Sequence, residues 1–216
     1  MEIKNLAQRL LTEQREDKAV ILEIFQTGSN VFGVGRTKDD DYVVICENYG
    51  QRKRRTILIE NDVKYDVLIM DIKAVEASLD FDDYIYIPND IKLFSYFYDV
   101  SIRKTLYGKS NLSWSMLDHK QKYLEYIKTK FDTTNYLILV DPWKFGKHLV
   151  HYYNILKIYE NNKAELTPEM LADIKKLYDA TEEAMPIIQW IFAKLKEPEV
   201  IVEEEAVVEE ETEIEE

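Results

Sequence analysis

The sequence has little cysteine and no long apolar run, and each shortage excludes a class of protein. Its single cysteine, Cys46, cannot form a disulfide within the chain, which fits a reducing cytoplasm. No stretch approaches the roughly eighteen consecutive apolar residues of a membrane-spanning helix. The first residues are amphipathic and lack the apolar segment of a secretory signal. We therefore expect a cytoplasmic protein without a membrane partner.

Basic residues are absent from one part of the chain, residues 197–216. This segment carries eleven glutamates, and without them the net charge of −13 would be about −2. The acidic character is therefore mostly a property of this tail, which we predict to be disordered and able to contact a partner. The remaining body can still bind a polyanion through a local basic patch.

Apolar periodicity predicts a small α+β unit at the start of the chain. Hydrophobic residues make up 46% of the sequence, enough for a sizeable core. An apolar stripe predicts an amphipathic helix over residues 3–16. Short β-branched runs predict a meander of four strands, followed by a helix at 72–79. The predicted strands are residues 19–25, 42–47, 56–60 and 63–71.

After Pro88 the pattern becomes helical. Thr167 and Pro168 form a helix start, with the threonine as N-cap and the proline at the first helical position. We expect this helix to run to about residue 196, with a break near Pro186. Further helices are predicted at 90–101, 112–131 and 142–162. The expected organisation is an α/β core at 1–88, a helical region at 89–196 and the tail at 197–216.

Three aspartates are candidates for a metal site. Asp39 and Asp41 are two residues apart at the entry to a strand, so their side chains share one face. Asp66 lies in another strand among apolar neighbours, where a carboxylate needs a partner. Mg²⁺ prefers hard oxygen ligands and often takes one or two carboxylates plus substrate phosphates. Brought together, the three carboxylates would form a two-metal phosphoryl-transfer site. The competing interpretation is a solvated turn at the start of a strand.

Gly28 and Ser29 supply a candidate phosphate cradle about ten residues before the aspartates. Glycine lets the backbone approach a phosphate closely, and backbone N–H groups with the serine hydroxyl can donate to phosphate oxygens. Farther along the chain, Lys144, Lys147 and His148 are further candidates for contact with substrate phosphates. His148 and His151 also have a spacing that can bind zinc, but buried or surface histidines without a metal are the commoner case.

The order of these motifs resembles the DNA polymerase beta-type nucleotidyltransferase superfamily. The closer similarity is to the predicted nucleotidyltransferases of bacteria and phages, and it spans residues 19–190. The matching segments are GSNVFG (28–33), TKDDDYVVI (37–45), PNDIKLFSYFYD (88–99), KFGKHLVH (144–151) and LTPEMLADIKKLYD (166–179).

The resemblance implies Mg²⁺-dependent transfer of a nucleotidyl group from a nucleoside triphosphate to a hydroxyl, on RNA or on a protein. Asp39 and Asp41 would hold both metal ions, and Asp66 would bind one and help deprotonate the hydroxyl. Gly28 and Ser29 would hold the β- and γ-phosphates. For a phage protein, the compartment would be the host cytoplasm. The alternative is a catalytically degenerate member that serves as a binding module.

Two departures from the family pattern bear on that alternative. Aligned on Thr37, Asp41 is the first aspartate of the pair and Val43 replaces the second; aligned on the Gly-Ser spacing, Asp39 and Asp41 are the pair. We prefer the second alignment, because side-chain parity favours it. His151 stands where the family tends to have arginine, and it lacks the permanent charge of a guanidinium.

The basic run 52–55 is expected in a turn, either solvated or in contact with nucleic acid.

Overall fold

The computed structural model describes residues 2–34, 39–51, 53–60, 62–79, 93–135 and 137–196. Within them the chain forms one five-stranded mixed sheet with helices on both faces, so the predicted α+β class is confirmed. The tail 197–216, Thr37 and the first five residues, 88–92, of the segment PNDIKLFSYFYD lie outside the described residues.

The sheet has the strand order β3-β4-β2-β1-β5. Strand β2 is parallel to β4, and the other neighbouring pairs are antiparallel. The strands are β1 (Val20–Thr27), β2 (Asp39–Glu47), β3 (Lys53–Glu60), β4 (Val63–Asp71) and β5 (Lys104–Gly108). The four strands predicted from the sequence are all present, and β5 was not predicted.

The predicted meander is wrong, because β4 inserts between β2 and β3. Strand β4 buries apolar residues on both faces, as a central position requires, with Val67, Ile69 and Met70 fully buried. Strand β3 carries Lys53, Arg54 and Arg55, and charged side chains suit the edge of a sheet. The basic run therefore lies largely within a strand rather than in a turn, although Arg52 lies outside the described residues.

Helix α1 (Ile3–Glu13) covers one face of the sheet. Its leucines at positions 6, 10 and 11 are buried against Ile24, Val44 and Val67. The spacing of these leucines is that of one helical face, so the amphipathic helix predicted from the sequence is confirmed.

The other face is covered by the remaining helices, which share one core with it. Phe25, Val43 and Met70 of the sheet belong to this core, together with residues as far along the chain as Ile191 and Leu195. The helices are α2 (Ile72–Leu79), α3 (Lys120–Thr134), α4 (Leu137–Val140), α5 (Pro142–Asn161), α6 (Pro168–Asp179) and α7 (Met185–Lys196).

The helical predictions hold for α2, for α5 and for the start of α6, whereas the helix predicted at 112–131 begins only at Lys120. Thr167 caps α6 as predicted, since its hydroxyl oxygen accepts from the Met170 backbone N–H at 3.2 Å. The break before α7 comes at residues 180–184, and Pro186 lies in the first turn of α7, where proline is tolerated. Of the helix predicted at 90–101, residues 90–92 lie outside the described residues, Leu93 is helical, and Ser95–Tyr98 form a 3-10 turn.

None of the helices formed by the described residues is both long enough and apolar enough to cross a lipid bilayer.

Candidate functional site

The site begins with two aspartates that lie side by side on parallel strands. Asp41 of β2 is in register with Asp66 of β4, and neighbouring strands are about 4.8 Å apart. Asp39 lies two residues earlier on β2, on the same face, and is in register with Lys64. The sequence-predicted trio is therefore brought to one face and one end of the sheet, the face covered by the C-terminal helices.

Asp41 is in an environment that favours its neutral form. Burial raises the pKa of Asp41, and the nearby carboxylates of Asp66 and Asp39 raise it further. Arg55 and Lys64 act in the opposite direction without cancelling the effect. A half-buried carboxylate held beside two others attracts a cation, because a cation relieves both the repulsion and the loss of hydration.

Two basic side chains already contact this cluster. Asp66 accepts two hydrogen bonds from Arg55, from Nε to Oδ1 at 2.7 Å and from Nη2 to Oδ2. The Asp66 side chain is 7% exposed, whereas that of Arg55 is 67% exposed. Lys64 Nζ lies 3.3 Å from Asp39 Oδ2, and both side chains of this pair are 38% exposed. Arg55 belongs to the basic run that was expected in a turn, and the structure corrects this, because Arg55 lies within β3 beside the aspartates.

The Gly28-Ser29 turn passes directly over Asp41. Gly28 has φ 74°, in the left-handed region. A Cβ at this position would lie 2.9 Å from the Asp41 Cγ and would overlap its Oδ2. Only glycine therefore allows the backbone to approach this carboxylate so closely. Ser29 begins a 3-10 turn that ends at Phe32.

Asn30 ties that turn to strand β2. Its side-chain amide donates to the Asp39 backbone oxygen at 2.7 Å and to Asp40 Oδ1 at 2.8 Å. Strand alternation puts the side chain of Asp40 on the opposite face from Asp39 and Asp41. Its hydrogen bond with Asn30 holds the turn against β2. The sequence alone assigns no function to Asn30, although asparagine is common in turns, where its side chain bonds to nearby backbone.

Tyr178, in the last turn of α6, borders Asp41 from the helical layer. Burial raises the pKa of Tyr178 to about 12, and the nearby Asp41 raises it as well. Its ring centre is 6.4 Å from that of Phe32, so helix α6 packs against the Gly-Ser turn. Nothing in the sequence distinguishes this tyrosine from the other fourteen.

A buried polar network lies deeper in the helical layer. His151 Nδ1 is 2.5 Å from the Tyr96 hydroxyl, which also accepts from Asn154 Nδ2 at 3.3 Å. Burial lowers the pKa of His151 to about 3, and His148 and Lys147 lower it too. His151 is therefore a neutral core residue and does not supply the positive charge of an arginine at this position.

The three residues predicted to meet phosphates from helix α5 differ in their surroundings. Lys144 and Lys147 are exposed, and Lys147 Nζ lies 5.3 Å from the centre of the Trp143 ring. His148 is buried, with its ring centre 6.1 Å from that of Tyr152. These contacts are within the helical layer. Their contact with phosphates stays a prediction.

The donor set fits a magnesium ion only in part. Among the described residues, no group of three or more histidine, cysteine, aspartate or glutamate side chains is arranged to hold a metal ion. Two carboxylates, Asp41 and Asp66, are adjacent and offer hard oxygens, and Mg²⁺ commonly takes one or two carboxylates and completes its shell with substrate phosphates. The site therefore fits a cation that arrives with, or is completed by, a phosphate ligand.

Comparison with known proteins gives no further guidance: no protein-family model matches this chain, and no curated protein is significantly similar to it.

Proposed function

We propose that this protein is a divalent-metal-dependent nucleotidyltransferase. The observation that carries the proposal is the pairing of Asp41 and Asp66 on parallel strands beneath the Gly28 turn. This combination places two hard anionic ligands next to backbone that can approach a phosphate closely. The sequence resemblance described above points to the same chemistry.

In this proposal Asp41 and Asp66 hold the cation, and Asp39 adds a third carboxylate at the same end of the sheet. The bound Mg²⁺ would supply positive charge to the phosphate oxygens. The Gly28-Ser29 turn positions the β- and γ-phosphates, while Asp66 accepts the proton of the acceptor hydroxyl. The hydroxyl oxygen forms a bond to the α-phosphorus, and the bond from that phosphorus to the pyrophosphate oxygen breaks. Positioning and charge neutralisation carry most of the acceleration in such reactions.

A second candidate is a non-catalytic binding module with the same fold, using the acidic tail as a contact arm. It is favoured by one specific observation: Asp66 forms an ion pair with Arg55, and Asp39 forms one with Lys64. If these ion pairs are permanent, only Asp41 is left to bind a cation, and two of the three predicted ligands serve stability instead.

Labelled-nucleotide transfer separates the two candidates. The protein is incubated with each α-labelled triphosphate, Mg²⁺ and either total RNA or a protein extract, and the labelled polymer is identified. We expect label in one polymer, lost in Asp41→Asn and retained in Asp132→Asn, a matched change at an exposed position of helix α3. The acceptor class is read from the polymer that is labelled.

A binding measurement on the same variants supports the assay. Magnesium and triphosphate together should raise the unfolding temperature of the wild type and of Asp132→Asn but not of Asp41→Asn. Equal thermal behaviour of all three proteins, with no transfer to either polymer, would leave the binding module as the better description.

A further inference from the structure

The Arg55–Asp66 pair is unusual because its two partners differ strongly in exposure. Asp66 is buried at the base of the site, while most of the Arg55 side chain is open to solvent. Arg55 reaches Asp66 from β3, the edge strand, on the same face as the candidate site. Because the Arg55 side chain is largely exposed and lies on an edge strand, its guanidinium can move off Asp66 by side-chain rotation.

A guanidinium and a metal ion would compete for the same carboxylate. Arg55 donates to both oxygens of Asp66, the carboxylate next to Asp41. A divalent cation placed between Asp41 and Asp66 would approach those oxygens and would lie close to a fixed positive charge. Like charges at such short range repel strongly in a partly buried site. While Arg55 stays on Asp66, the binding of a cation is opposed.

A triphosphate offers Arg55 an equivalent partner. Two oxygens of a phosphate accept the same two-pronged hydrogen bond from arginine that a carboxylate accepts. In the proposed function, a triphosphate lies beside Gly28 and Ser29, over Asp41 and next to Asp66. The guanidinium of Arg55 is already at the side of this position, because it contacts Asp66.

We infer that Arg55 exchanges Asp66 for the triphosphate, so that binding of the nucleotide releases Asp66 to bind the metal ion. This inference rests on the proposed function and adds its regulation: the cation and the nucleotide bind interdependently, and Arg55 is the positioning residue that couples them. Thermodynamic linkage requires the coupling to be reciprocal, so the metal must tighten nucleotide binding by the same factor.

The test measures binding rather than turnover. Manganese affinity is determined by calorimetry, with and without saturating α,β-methylene ATP, for the wild type and for Arg55→Gln. In the wild type, we expect the nucleotide to tighten manganese binding by roughly tenfold or more. Arg55→Gln should bind manganese alone more tightly than the wild type does, and its affinity for the nucleotide should fall. The factor by which the nucleotide tightens manganese binding should approach one.

The matched control is Arg54→Gln. Arg54 is the neighbouring residue of β3, it is exposed, and strand alternation puts it on the opposite face of the sheet. The substitution removes the same charge from the same strand, so the control should behave like the wild type. Should Arg54→Gln change manganese binding as much as Arg55→Gln, general electrostatics and not the exchange would account for the effect.

Other outcomes are equally decisive. Manganese binding to Arg55→Gln that is weaker than or equal to that of the wild type, with unchanged coupling, overturns the inference while the proposed function stands. Absence of manganese and nucleotide binding in the wild type itself refutes the proposed function and this inference with it. If Arg55→Gln does not fold, Arg55→Lys keeps the charge but loses the two-pronged geometry, and it should show intermediate coupling.

Discussion

Two carboxylate–arginine clusters lie on the same face of the sheet, and they differ in how far solvent reaches the arginine. In the closed cluster, the side chains of Glu23 and Arg103 are 2% and 3% exposed. In the open cluster, Asp66 is also buried, with 7% of its side chain exposed, but Arg55 is largely exposed. The same pair of chemical groups therefore occurs once inside the protein and once at its edge.

The closed cluster is also fully hydrogen-bonded. Glu23 accepts from Arg103, from the Ser110 backbone N–H at 3.0 Å and from the Thr105 hydroxyl at 2.9 Å. Arg103 in turn donates from Nε to the Tyr98 backbone oxygen at 2.8 Å. These bonds join β1, β5 and the 3-10 turn, so the cluster holds the fold together. A buried pair with this many partners is expected to be permanent, whereas an exposed arginine can be exchanged.

The largest expected effect comes from breaking the closed cluster. Glu23→Gln leaves Arg103 as an uncompensated buried charge, which typically costs about 3–5 kcal/mol. Urea unfolding at neutral pH measures the loss. The matched control is Glu60→Gln, which removes an exposed partner of Arg9 at 2.6 Å and should cost less than about 1 kcal/mol. A similar loss in both variants would contradict a structural function for the closed cluster.

A smaller loss is expected at the turn that covers the open cluster. In Gly28→Ala the new methyl group would overlap the Asp41 carboxylate, and the backbone has φ 74°. Strain of this kind costs on the order of 1–3 kcal/mol. The control is Gly146→Ala in helix α5, where a Cβ meets nothing within 4 Å. Since alanine is the better helix former, the control should gain up to about 1 kcal/mol. Thermal unfolding of the two variants should therefore move in opposite directions.

The pH dependence of stability gives a finer test of the closed cluster. Burial alone would raise the pKa of Glu23, but the hydrogen bonds from Ser110 and the charge of Arg103 outweigh it and lower this pKa from its ordinary value of 4.5. A lowered carboxylate pKa stabilises the folded state above the unfolded-state pKa, and this contribution is lost as the pH falls through the folded-state pKa.

We therefore expect the difference in unfolding free energy between wild type and Glu23→Gln to be constant above about pH 4.5 and to shrink below it. Urea titrations from pH 7 to pH 3 measure this difference. A difference that persists unchanged at pH 3 would show that the charge of Glu23 contributes little.

The sequence predicts one half of the open cluster and not the other. Strand alternation alone places Asp39 and Asp41 on one face, and the apolar neighbours of Asp66 mark it as a carboxylate in need of a partner. The pairing of β2 with β4 depends on which strand occupies the centre of the sheet. Local sequence patterns do not determine which strand is central. The predicted meander was wrong for this reason, since it placed β4 at the edge of the sheet instead of between β2 and β3.

The closed cluster was not predictable for a related reason. Glu23 and Arg103 are 80 residues apart in the chain, and β5, the strand next to Arg103, is short, mostly exposed and poor in apolar residues. Arg55 was recognised as basic, but its contact with Asp66 follows only from the position of β3 beside β4. The residues of a site can be found from their chemistry, whereas their partners depend on tertiary pairing.

The smallest expected effect on stability is that of Arg55→Gln, and it tests whether the exposed arginine contributes less to folding than the buried one. Arg55→Gln removes a largely exposed guanidinium, so water can replace it at Asp66, and we expect a cost of about 1 kcal/mol or less. Arg103→Gln should cost several times more, because no water reaches Glu23 in the same way. Urea unfolding of both variants, with Arg54→Gln as the control for charge, measures the ratio. If Arg55→Gln costs as much as Arg103→Gln, then Arg55 is a structural partner of Asp66, and the exchange with a triphosphate would have to overcome a cost too large for a reversible switch.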